Sequence, residues 1–148
     1  DARLRRLEDL EQIQRLFIEY KTVLDRKDFS GYAALFAEDG EFVAGGTQQA
    51  KGRAAIQALV EAMPGIDLLG AEVGDDFHLV INPQVELDPG DADRARAQST
   101  WLYGVRGEDG APVLSKLGHY DDELVREGGR WRFLRREAPM DIPAPGVT

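Results

Sequence analysis

Two side chains in this sequence could take up a proton near neutral pH, His78 and His119. An imidazole, with an ordinary pKa of about 6.5, suits general base work. His78 lies in Phe77-His78-Leu79-Val80-Ile81. By the period of two in a strand, Phe77, Leu79 and Ile81 form one face, and His78, Val80 and Asn82 the other. A histidine in so apolar a strand either buries its ring against a polar partner or lines a cavity, because burial without a partner is costly. His119, in GHYDDEL, shares its face with Asp121 and Glu123, opposite Tyr120, Asp122 and Leu124, and reads as solvent-facing. Asp121, Asp122 and Glu123 point alternately to opposite faces and cannot chelate a metal together. Trp101 and Tyr120 read as pocket walls or core.

Cysteine is absent, which removes disulfides, thiolate zinc sites and a cysteine nucleophile. Two histidines cannot build a three-histidine metal centre. The sequence holds no phosphate loop, nucleophile elbow or zincin motif, so neither metal nor cofactor is expected.

The elements that would position these residues change period midway along the chain. From Leu4, apolar residues recur at Leu7, Leu10, Ile13, Leu16, Phe17, Tyr20, Val23 and Leu24. Those steps of three and four predict a helix of about 20 residues with one buried stripe. A short second helix carries Phe29, Tyr32, Leu35 and Phe36 and stops at Asp39-Gly40. Glu41–Ala44 reads as a strand and Gly45-Gly46 as a turn. A third helix is expected over about Arg53–Met63, with Ala55, Ile56, Leu59, Val60 and Met63 inward and Pro64-Gly65 ending it. Phe77–Leu87, Arg94–Val105, Val113–Arg126 and Arg130–Arg136 are β-rich runs separated by turn clusters, including the acidic hairpin Asp88–Asp93. Helices first and then four strands joined by short turns predict an α+β fold, an antiparallel meander with helices on one face.

With 148 residues, the chain is expected to form one domain over 1–148, with a core of about 5–140 and a loose tail at 141–148. The net charge of −9 argues against nucleic acid and anionic membrane as partners. No apolar run reaches the roughly 18 residues of a membrane span, and the charged start is no signal peptide, so a cytoplasmic protein is expected.

The ordered segments LEDLEQIQRLFIEYKTVLDRKDF, YAALFAEDGEF, KGRAAI, HLVINPQVEL and GHYDDELVREGGRWRF resemble the SnoaL-like branch of the nuclear transport factor 2-like superfamily. The resemblance implies a curved antiparallel sheet wrapped into a cone around three N-terminal helices, with a deep apolar pocket and a homodimer or higher homo-oligomer formed through the outer sheet face. Dehydratases and a dehydrochlorinase of this superfamily carry a strand histidine as general base, matching His78. Its partner there is an aspartate at the end of the first helix, matching Asp25, which lies 53 residues earlier. Such a carboxylate fixes the tautomer and stabilises the imidazolium. By the same pattern Asp28 caps the second helix. Tyr20 matches a tyrosine that hydrogen-bonds substrate oxygen, although it also fits the buried stripe. On a regular helix Tyr20 and Asp25 point about 140° apart, so both reach one pocket only if the helix ends or bends near Leu24. Arg136 matches a pocket arginine able to hold a leaving anion or a carboxylate, with Arg135 the neighbour in the alternative register.

The resemblance implies a cofactor-free lyase or isomerase, dehydratase-like, acting on a small hydrophobic ring-containing metabolite. Two alternatives stand beside it. One is a non-catalytic ligand-binding or scaffold domain, marked by an Asp25 turned to solvent. The other is a ketosteroid-isomerase-like enzyme, marked by a lone pocket carboxylate beside Tyr20.

Overall fold

A computed structural model describes residues 1–62 and 74–143 of the chain. Met63 and the Pro64-Gly65 stop fall outside the described residues, as does the tail beyond residue 143.

Helix α1 spans Ala2–Asp25, opened by Asp1, whose carboxylate accepts from the Arg3 N–H at 2.9 Å. Lys27 adopts the left-handed conformation just past its end, with φ of 58°. Asp28 then caps α2 (Phe29–Ala34), accepting from the Gly31 N–H at 3.0 Å, the role expected of it. Strands β1 (Phe36–Ala44) and β2 (Thr47–Lys51) form a hairpin around Gly45-Gly46, and α3 (Arg53–Glu61) follows. Strands β3 (Asp76–Leu87), β4 (Arg94–Arg106), β5 (Pro112–Glu127) and β6 (Arg130–Glu137) form the antiparallel meander, and β7 (Met140–Ile142) pairs back onto β5.

The curved sheet has the order β2-β1-β6-β5-β4-β3, and it is mixed. Strands β1 and β6 run parallel, with Phe36 beside Phe133 and Phe42 beside Arg136, which corrects the purely antiparallel expectation. The cause is a non-local pairing: the N-terminal hairpin adds to the edge of the meander, tied by the Phe133 N–H donating to the Leu35 carbonyl at 2.9 Å. The same pairing draws Phe36–Gly40 into β1 and so ends the second helix at Ala34, earlier than its apolar spacing suggests.

The buried face of α1 comprises Asp9, Ile13, Leu16, Phe17, Tyr20 and Leu24. Asp9 anchors it, accepting from Trp131 Nε1 at 3.2 Å and from Arg126 at 2.8 Å. N-terminal to that anchor Leu4 and Leu7 are exposed, so the stripe starts later than its periodicity implies. On α3, Ile56 and Val60 are buried and Ala55 is exposed, against expectation. Beneath α1, rings from both layers pack edge to face, Phe17 and Tyr20 lying 5.8 and 5.6 Å from Phe133. Such contacts add modestly to the burial that dominates core stability.

Candidate active site

Two elements bring Asp25 and His78 together. Asp25 closes the last turn of α1, and His78 occupies an inward position near the start of β3. The Asp25 Oδ1 atom lies 2.7 Å from His78 Nδ1 and also accepts from the His78 backbone N–H at 3.0 Å. Lys21, one turn earlier on α1, places its ammonium 2.9 Å from the other carboxylate oxygen. Burial opposes ionisation of Asp25, but the hydrogen bonds from His78 and Lys21 outweigh it and hold the carboxyl below its usual range. A carboxylate at Nδ1 keeps the proton on that nitrogen, so Nε2 of the neutral ring is the acceptor. His78 is 1% exposed, and Nε2 is buried without a hydrogen-bond partner. Leu79 and Ile81 point outward and are partly exposed, as the period of two requires. Asn82, with φ of 52°, lies where the β3–β4 register shifts, and beyond it Val85 and Leu87 pack against the core.

A second polar group flanks the pair. Asp76, two residues before His78, accepts from Lys27 Nζ at 2.8 Å and from the Tyr103 hydroxyl at 3.0 Å. Tyr103 pairs with His78 across β3 and β4, and its ring lies 5.0 Å from the imidazole. Burial and then the Asp76 charge push the Tyr103 hydroxyl well above the usual tyrosine range. Asp76 and Tyr103 were not singled out from the sequence. The available signal was that Asp76 shares the inward parity of His78.

Tyr20 and Arg136 also meet, apart from the histidine. Arg136 is 0% exposed, whereas Arg135 is half-buried and pairs with Glu137 at 3.2 Å, which settles the register. The Arg136 guanidinium lies 4.0 Å from the Tyr20 ring centre and 3.4 Å from that of Tyr120, a cation held between aromatic faces. Tyr20 and Tyr32 hydroxyls are 3.1 Å apart. Burial, followed by Tyr32, holds the Tyr20 hydroxyl well above the usual range, so it keeps its proton. Helix α1 runs regularly to Asp25, and a rise of 1.5 Å per residue puts Tyr20 and Asp25 about 7.5 Å apart along its axis.

Arg136 faces Asp122 across β5 and β6, a residue read from the sequence only as inward-facing. Arg136 Nε and Asp122 Oδ1 stand 3.2 Å apart without hydrogen-bond alignment. Burial pushes the Asp122 carboxyl up to about 7, with Arg136 opposing the shift. His119 is half-exposed, its Nδ1 2.8 Å from Asp141 Oδ2, and takes no part in the interior. A groove on the outer sheet face, lined by Glu86, Arg96, Gln98, Asp121 and Arg135 among others and reaching Asp122, includes neither Asp25 nor His78. Among the described residues no cluster of three or more His, Cys, Asp or Glu could hold a metal. No described helix is long and apolar enough to cross a membrane.

Comparison with known proteins agrees with this architecture. The chain is similar to a nuclear transport factor 2-like protein with a cystatin-like fold from Novosphingobium aromaticivorans, at 29% identity and TM-score 0.82, over 97% of this chain and 89% of that one. A putative scytalone dehydratase from the same organism matches at 24% identity and TM-score 0.74, over 97% of each chain. A hexachlorocyclohexane dehydrochlorinase matches at 21% identity and TM-score 0.75, over 97% of this chain and 99% of that one. The last two likenesses speak for the fold. No curated protein matches the chain. The model of the SnoaL-like domain family matches residues 5–137, nearly the whole length, and the chain belongs to that family.

Proposed function

We propose that this protein is a lyase that eliminates water, or a comparable leaving group, from a small hydrophobic ring-containing metabolite. His78 Nε2 removes a proton from a carbon next to an activating group. Asp25 holds Nδ1–H and stabilises the imidazolium as it forms. The departing hydroxyl takes the proton back from the His78 imidazolium and leaves as water, hydrogen-bonded by Tyr20 on α1 or Arg136 on β6. The observation that carries this reading is the state of His78: one ring nitrogen 2.7 Å from a carboxylate oxygen, the other buried and unengaged. The aromatic rings of Tyr103, Trp101 and Tyr120 on the same sheet face suit a ring-shaped substrate. The activities named for the similar putative scytalone dehydratase and hexachlorocyclohexane dehydrochlorinase are both eliminations, and the proposed reaction is of that class.

The two alternatives are less well supported. Asp25 turns to His78 and not to solvent, and the carboxylate nearest the Tyr20 cluster, Asp122, is paired with Arg136. The test is a panel of ring compounds bearing a hydroxyl β to a carbonyl, assayed for the ultraviolet absorbance of the conjugated product and for deuterium uptake from heavy water at the intervening carbon. His78→Ala should abolish both signals while leaving circular dichroism unchanged. Product formation undiminished in that variant would overturn the proposal.

A further inference from the structure

Among the described residues, buried polar atoms without partners concentrate on the inner face of the sheet. Apart from His78 Nε2, they are Ser99 Oγ, both carboxylate oxygens of Asp122, and all three guanidinium nitrogens of Arg136, with Arg132 Nε lying elsewhere. Asp122 and Arg136 are 4% and 0% exposed, and Ser99 is 5% exposed. The register makes them neighbours: Asp122 pairs with Arg136 on β6 and with Ala97 on β4, and Ser99 pairs with Tyr120, one diagonal step from Asp122. Buried polar groups in folded proteins are overwhelmingly hydrogen-bonded, and an ion pair out of water needs further bonds to repay its desolvation. Here the charges balance but the hydrogen-bonding capacity is unused. A group that fills it must accept from the guanidinium and donate to the carboxylate at once.

We infer that Ser99, Asp122 and Arg136 form a binding subsite for an uncharged group that both donates and accepts hydrogen bonds, such as a hydroxyl, and that Asp122 makes this subsite reject anions. An arginine alone among aromatic faces would hold a carboxylate or halide. With Asp122 ionised beside it, an incoming anion meets a net charge of zero and a carboxylate it cannot donate to. The inference rests on the reading that the inner face receives a ligand, but it does not need His78 to act as a base. The other titratable groups around the pair are Asp121 on β5 and the Tyr20, Tyr32 and Tyr120 hydroxyls, which burial keeps protonated. Protonation of Asp122 therefore converts the subsite into an anion holder, and anion affinity rises as pH falls.

The test uses two probes of nearly equal shape, 2-naphthalenemethanol and 2-naphthoate, titrated calorimetrically into the full chain at pH 8.5 and pH 6. The wild type should bind the alcohol at least tenfold more tightly than the carboxylate at pH 8.5, with the gap narrowing at pH 6. Asp122→Asn should reverse the preference and remove its pH dependence. Ser99→Ala, a change that leaves the backbone undisturbed, should weaken the alcohol several-fold and the carboxylate little. His78→Ala should leave the ratio of the two affinities unchanged even if all turnover is lost, which separates this inference from the catalytic one. A wild-type preference for 2-naphthoate, an unaltered ratio in Asp122→Asn, or failure of both probes to bind would overturn it.

Discussion

Replacing Asp25 by Asn tests the dyad most sharply, because it removes one charge while keeping shape. In the native arrangement a single oxygen, Oδ1, serves both the His78 ring N–H and the His78 backbone N–H, and the other faces the Lys21 ammonium. An amide cannot satisfy both sides. With its oxygen towards His78, its NH2 opposes Lys21; flipped, its NH2 opposes the His78 backbone N–H and stabilises the wrong imidazole tautomer. The forming imidazolium also loses its counter-charge. A hydrogen bond to a charged group contributes about 1.5–3 kcal/mol, and at 1.36 kcal/mol per decade its loss predicts a rate lower by about 10- to 160-fold. His78→Ala, which removes the base itself, should cost about 10²- to 10⁴-fold. The partly exposed Lys21 contact contributes little to folding, so urea unfolding should shift by less than about 2 kcal/mol. The assay is deuterium uptake and product formation with the substrate found in the panel, alongside urea titration of both variants. A rate loss in Asp25→Asn smaller than about threefold, ~0.65 kcal/mol, would refute the reasoning.

Three further outcomes are expected. Gly118→Ala should destabilise by about 1–3 kcal/mol in urea, since the new Cβ would stand 2.2 Å from the Pro139 carbonyl oxygen and 2.4 Å from the Trp101 ring, and overpacking of this kind forces side chains from their rotamers; an unchanged midpoint would contradict the close approach. Because the Asp122 carboxyl is raised to about 7 in the fold, the native state keeps a proton that the unfolded chain loses near 4, so its contribution to stability falls as pH rises through that window and is level above about 7; Asp122→Asn should flatten that limb of the stability curve, and an identical slope in the variant would show the carboxyl is not raised. A homodimer is our proposal for the outer face, where Leu79, Leu102, Leu117 and Ile142 line up across β3, β4, β5 and β7; light scattering should give twice the 16.4 kDa chain mass and Leu117→Lys half of it, and a monomeric wild type at high concentration would end the proposal.

Much of the candidate site was legible locally. The period of two placed His78, Tyr120 and Asp122 on inward faces, because alternation in a strand is a property of the chain itself. Asp28 as a cap was legible for the same reason: its carboxylate reaches a backbone N–H three residues on. The partner of His78 was reached only through resemblance, since nothing in local spacing joins residues 53 positions apart.

Periodicity, turn chemistry and capping residues were enough to establish helices followed by a meander, and composition was enough to remove thiolate and three-histidine chemistry. Tertiary structure decided what depends on distant segments meeting. It set β1 parallel beside β6, and buried Arg136 while leaving Arg135 half-exposed. It brought Asp76 to Lys27 and Tyr103, and left the Asp122–Arg136 pair without hydrogen bonds. Helix and strand periods are written in neighbouring residues, whereas the partner of a buried charge is chosen by which strands lie side by side once the sheet has curved around α1.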